Sequence, residues 1–181
     1  MNKNTITLNS IVLPITAALM VSPIAGIAQK AATFPDKGIE TDIIIKQKRI
    51  DRVKVLENFF DKYKSPLKDN AKTFVDVADK YGIDYKLLPA ISCMESSCGK
   101  KLIANSYNPF GWGIYGRNAI YFNNYDDAIE TVGKGIAEKY ISRGFDSVKK
   151  IAPIYTPPNS NHWESGVSYF IAKIGEEEVR L

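Results

Sequence analysis

Glu95 is the residue of this chain whose setting best suits acid catalysis. It lies in the segment AISCMESSCG, residues 90–99, an apolar run that carries a single carboxylate. Burial against an apolar face raises the pKa of a carboxyl group because it disfavours the charged form. A carboxyl group that stays protonated near neutral pH can donate a proton to a leaving oxygen, which is what cleavage of a glycosidic bond requires.

Two cysteines, Cys93 and Cys98, flank this acid. In a regular helix their Cα atoms would lie roughly 8 to 9 Å apart, beyond the reach of a disulfide. A bridge therefore requires the helix to break near Ser96 or Ser97, and Gly99 favours an ending there. Two interpretations stay open: a disulfide that fixes the backbone around the acid, or two buried thiols that pack as small hydrophobes.

Aromatic side chains are dense after Glu95, at Phe110, Trp112, Tyr115, Tyr121 and Tyr125. Aromatic rings stack on the apolar faces of sugars, and asparagine can bond to their hydroxyl rims. This density therefore favours a groove for a glycan, with core filling as the alternative, above all for Phe110.

A second catalytic carboxylate, which glycosidases commonly use, is not evident. Asp126 and Asp127 suit the first turn of a helix, Glu164 suits a capping role with Asn161, and Glu130 suits a solvated helix face. Two mechanisms with one protein acid remain: attack by water, or attack by the sugar's own hydroxyl with an anhydro product.

The elements that position these residues are predicted to be helices, so the fold class is mainly α with at most one small β-hairpin. Apolar residues recur at helical spacing, which predicts helices at about 43–64, after residue 69, at 84–95, at 125–143, at 147–154 and from residue 161. Residues 119–122 are predicted to pair with residues 112–115 as the hairpin. Gly133 and Gly135, inside the fourth helix, are predicted to admit a close neighbour.

The N-terminus indicates export. Residues 1–28 have the features of a signal peptide, and residues 6–28, which carry no charge, are alternatively an uncleaved membrane anchor. Residues 29–42 are predicted to be a linker, 43–65 an amphipathic helix and 66–181 the main domain. Both interpretations of the N-terminus place residues 29–181 outside the cytoplasm.

Composition limits the other classes of function. The net charge of +4 is mild and scattered, which argues against nucleic acid as a partner. Two cysteines and the lone, distant His162 do not make a metal site, and there is no phosphate-binding loop. We therefore expect a monomer without a metal or cofactor.

The order of motifs resembles the glucosaminidase family of bacterial cell-wall hydrolases, within the lysozyme-like superfamily. The glutamate motif around Glu95 is followed by an Asn-x-Phe-Gly loop at residues 108–111, an aromatic–Tyr–Asp segment at residues 122–126, and a tyrosine, Tyr155, before the last helix. The resemblance covers about residues 70–175. It implies a lysozyme-like helical domain.

The resemblance also implies roles for individual residues. Glu95 would be the general acid, Asn108, Phe110 and Gly111 would shape the floor of a sugar groove, and Tyr125 and Tyr155 would line it. The substrate and partner would be the glycan strands of peptidoglycan, cleaved by an endo-N-acetylglucosaminidase. The chain departs from the family at the flanking cysteines, at the Phe-Gly-Trp-Gly loop and in lacking an Asp after Tyr155. A lytic transglycosylase and an inactive wall-binding module remain the alternatives.

Overall fold

A computed structural model describes residues 37–114 and 118–181. The predicted signal peptide or anchor at 1–28, residues 29–36 of the predicted linker, and Tyr115 lie outside these ranges. Within them the chain forms six α-helices: α1 Lys37–Lys62, α2 Ala71–Tyr81, α3 Leu87–Ser96, α4 Tyr125–Lys139, α5 Val148–Tyr155 and α6 Ser160–Glu178. The mainly α fold class is thus confirmed.

The predicted hairpin does not appear as paired strands in the described ranges. Residues 119–122 are not a strand; instead the Phe122 N–H donates to the carbonyl oxygen of Ser106 at 2.9 Å. That bond fastens the segment to the loop that precedes it.

Helix α1 starts earlier than the sequence predicts, because residues 37–42 are helical rather than part of a linker. Only the C-terminal half of α1 packs an apolar face into the core. The buried residues of this face are Val55, Leu56, Phe59 and Phe60. Ile43, Ile44 and Ile45 are exposed. Apolar periodicity therefore identified the packed half of the helix but could not mark its beginning.

Close helix packing is achieved at glycines. A Cβ on Gly133 of α4 would overlap the side chain of Val77 on α2, and one on Gly166 of α6 would overlap the sulfur of Met94 on α3. The prediction that Gly133 and Gly135 admit a close neighbour is confirmed, and α3 is held against α6 at the level of Glu95. None of the helices in the described part of the chain has the length and apolar character needed to cross a bilayer.

Candidate active site

Glu95 is the penultimate residue of α3, at the point where the chain turns sharply away from the helix. Ser97, Cys98 and Gly99 have φ angles of 54°, 59° and 77°, so three successive residues are left-handed. This turn brings Cys98 back to Cys93, and the two are joined by a disulfide. The backbone that carries the acid is therefore closed into a short covalent ring.

Ser96 connects this helix end to the loop that follows. Its Oγ lies 2.8 Å from the carbonyl oxygens of both Ser92 and Pro109 and accepts a hydrogen bond from the Gly99 N–H at 2.9 Å. Ser96 is buried. A single hydroxyl thus fixes the position of the 108–111 loop relative to Glu95.

Trp163 of α6 is the direct partner of the acid. Its indole N–H donates to Glu95 Oε1 at 2.7 Å, and the Trp163 side chain is buried. Desolvation raises the pKa of Glu95, and this outweighs the Trp163 hydrogen bond, which lowers it because it favours the charged form. No cation neutralises Glu95 among the ion pairs of the described residues.

The second carboxylate oxygen of Glu95 faces a glycine. A Cβ placed on Gly111 would lie 3.5 Å from Oε2, and Gly111 has a left-handed φ of 61°. Glu95 as a whole residue remains exposed. The carboxyl group is therefore held by the indole on one side and open beside the Gly111 backbone on the other.

Asn108 organises the loop from inside. It is buried; its Nδ2 donates to the carbonyl oxygens of Trp112 and Ile120 at 2.9 and 3.1 Å, and its Oδ1 accepts from the Trp112 N–H at 3.0 Å. Phe110 is also buried and packs edge-on against Phe74. Both residues are thus buried beneath the loop, and their predicted role in shaping the floor of a sugar groove stays a prediction.

Trp112 and Tyr155 form the half-buried side of this support. Tyr155, at the end of α5, stacks on Trp163 at 4.8 Å, lies 6.2 Å from the Trp112 ring, and donates from its hydroxyl to the Phe110 carbonyl at 3.0 Å. Burial and the nearby Glu95 charge raise the pKa of Tyr155 well above its usual value. Tyr155 is therefore a neutral hydrogen-bond donor that positions the loop.

The Trp112 indole also packs closely against Gly135 of α4. A Cβ there would lie 2.5 Å from the indole ring, so only glycine lets α4 approach so closely. The Lys139 ammonium lies 5.2 Å from the centre of the same ring.

A cavity of about 430 Å³ opens beside these residues. Its wall includes Gly111, Trp112, Tyr140 and Tyr155, and Lys139 stands at it as the charged lining residue. Glu95 does not itself line the cavity but lies next to its wall, since a Cβ added to Gly111 would be 3.5 Å from Glu95 Oε2. The volume lies in the range of small-molecule sites.

Tyr125 is not brought to Glu95 by any contact in the described ranges. Its ring meets Tyr107 at 5.3 Å, and burial beside Tyr107 raises the pKa of Tyr125. The prediction that Tyr125 lines the site near the acid therefore lacks support, and Tyr121, 59% exposed, points to solvent.

Three of the four remaining carboxylate candidates have partners of their own. Asp126 accepts from Asn70 and Thr73 at 2.8 and 2.6 Å, Asp127 accepts from Asn123 at 2.8 Å, and Glu130 binds Lys80 and Tyr81. Those bonds lower the pKa of Glu130. Glu164 follows Trp163 on α6. Because adjacent helical residues point about 100° apart, Glu164 points in a different direction from the Trp163 side chain that contacts Glu95. The predicted pairing of Glu164 with Asn161 as a cap is wrong, since α6 begins at Ser160.

Sequence reasoning missed Trp163, Tyr140 and Lys139 as parts of the site. The Trp163 side chain is buried as an apolar residue of a helix would be, but its N–H reaches Glu95. It lies 68 residues after Glu95, and no local spacing could have joined them.

Comparison with protein-family models finds none that matches this chain, and comparison with curated proteins finds no matching entry. Residues 37–114 and 118–181 hold no group of three acidic, histidine or cysteine side chains that could bind a metal ion. What the site can do is therefore argued from its own geometry.

Proposed function

We propose that the protein is a glycosidase of the bacterial cell wall, of the endo-N-acetylglucosaminidase type, with Glu95 as its general acid. The observation that carries this proposal is the state of Glu95: a carboxyl group with a raised pKa, bonded by one oxygen to the buried Trp163 indole, beside an aromatic-walled cavity.

The geometry favours one oxygen as the proton donor. The Trp163 N–H can only donate, so Oε1 must accept and the proton of the neutral acid belongs on Oε2. Oε2 faces the Gly111 backbone, at the wall of the cavity. A glycosidic oxygen that lies there would receive the proton as the bond to the sugar breaks.

The cavity offers the surfaces that an amino-sugar chain requires. Trp112 and Tyr155 line the cavity and supply aromatic surface for the apolar sides of sugars, and Gly111 and Gly113 lie at the same wall. Asn108, Phe110 and Ser96 keep this wall rigid, which limits the loss of conformational entropy on binding.

A lytic transglycosylase is the second candidate, and the carboxylates support it. Asp126, Asp127 and Glu130 are all bonded to other groups, so Glu95 stands as a single acid at the cavity wall. An enzyme with one acid can let the substrate's own hydroxyl attack in place of an activated water.

Digestion of purified peptidoglycan, followed by mass spectrometry of the soluble fragments, tests the proposal. Reducing N-acetylglucosamine ends are expected; anhydro ends would assign the protein to the transglycosylases. Retention on peptidoglycan with no release of fragments, equal for wild type and Glu95→Gln, would contradict both and leave a wall-binding module.

A further inference from the structure

Among its described lining residues, the cavity beside Glu95 has one cation, Lys139. Lys139, on the last turn of α4, is exposed and holds its ammonium 5.2 Å from the centre of the Trp112 ring. Within the described ranges it takes part in no ion pair, whereas Lys134 on the same helix pairs with Glu138 at 3.8 Å.

Apart from Lys139, the described lining residues of the cavity are aromatic, aliphatic or glycine and carry no charge. A cation next to a binding surface attracts anionic ligands and selects for them.

On the basis of the proposed glycosidase function, we infer that the cavity takes an amino-sugar unit that bears a carboxylate. Lys139 pairs with that carboxylate while the sugar ring lies against the aromatic wall beside it. Because the Lys139 ammonium lies over the Trp112 ring at this same wall, the carboxylate that reaches it is one attached close to the sugar ring.

This preference has a chemical consequence for the state of the substrate. In peptidoglycan every second sugar carries a lactyl ether whose carboxyl group is either free or joined to a peptide through an amide. Only the free form bears a charge close to the ring. Hydrolysis of that amide, in which water adds across the C–N bond to give a carboxylate and an amine, would therefore supply the preferred substrate.

Binding measurements in the Glu95→Gln background separate this inference from the proposed reaction, since they do not require turnover. Three ligands are compared by calorimetry: a neutral N-acetylglucosamine oligomer, a peptide-free glycan with free lactyl carboxylates, and a glycan that retains its peptides. Lys139→Gln is expected to weaken binding of the peptide-free glycan by about threefold, the size of an exposed ion pair, and to weaken the other two less.

The matched control is Lys134→Gln, which removes the same charge from the same helix away from the cavity. It is expected to change the three affinities equally. The inference would be overturned if Lys139→Gln weakened all three ligands alike, if Lys134→Gln had the same selective effect, or if only the peptide-bearing glycan responded. Failure of wild type to cleave any glycan would instead count against the proposed function.

Discussion

Glu95 and Glu130 are two glutamates on neighbouring parts of a helical domain, and their surroundings drive them to opposite states. Glu95 has a neutral indole as its partner and a desolvated position, so its pKa is raised. Glu130 has the Lys80 ammonium and the Tyr81 hydroxyl as partners, so its pKa is lowered. The comparison shows that the groups around a carboxylate, rather than the residue type, decide which one can carry a proton.

The largest expected effect is the difference in reaction rate between variants at Glu95 and at Glu130. Glu95→Gln removes the proton donor, so the rate of peptidoglycan solubilisation should fall by about 100- to 10,000-fold, the usual contribution of general acid catalysis. Glu130→Gln removes a charge that only pairs with Lys80 and should leave the rate within about twofold, because exposed ion pairs contribute little. Release of reducing ends measures the rate of both variants. An equal loss of rate in the two would contradict the role of Glu95 as the general acid.

A second difference is the covalent ring around Glu95, which the Glu130 region lacks. Replacing both Cys93 and Cys98 by serine should lower the free energy of unfolding by about 2 kcal/mol, from the entropy of closing a short loop. Denaturant unfolding measures this. A thiol reductant should destabilise wild type to a similar degree and leave the double variant unchanged; an effect on both would mean that the reductant acts elsewhere.

The smallest expected effect concerns the hydrogen bond from Trp163. The indole N–H favours the charged form of Glu95, so Trp163→Phe should raise the pKa of Glu95 further and move the alkaline limb of the pH–rate profile to higher pH. The shift reports how much more strongly the indole N–H bonds to the charged carboxylate than to the neutral acid.

Tyr155→Phe is the control for that measurement. Its hydroxyl donates to the Phe110 carbonyl and not to Glu95, so the alkaline limb should stay in place even if the rate falls. A shift toward lower pH in Trp163→Phe would contradict the assigned direction of the hydrogen bond.

Local patterns in the sequence predicted most of the helices and the acid. The stripe Leu87, Leu88, Ile91 and Met94 indicated α3, and Gly99 indicated where it stops. The need for a helix break between Cys93 and Cys98 follows from helix geometry alone. These inferences depend on residues within two or three turns of one another, where spacing fixes direction.

Contacts between distant residues were not predictable in the same way. Trp163 reaches Glu95 across 68 positions, and Asn108 is turned inward because the carbonyls of Trp112 and Ile120 need donors. Helix α1 starts at Lys37, ahead of the start at about residue 43 that apolar spacing predicted. Such features depend on how elements pack, which periodicity within one element does not encode.

Titration of the individual carboxyl groups by NMR is the most direct test of the central claim. In the uncomplexed protein with ¹³C-labelled glutamate, the carboxyl carbon of Glu95, identified by its loss in Glu95→Gln, should titrate with a pKa above the value of about 4.3 typical of glutamate. The carboxyl carbon of Glu130 should titrate below that value. If Glu95 titrated at or below Glu130, the site would hold a carboxylate with no proton to give, and the account of Glu95 as a general acid would be wrong.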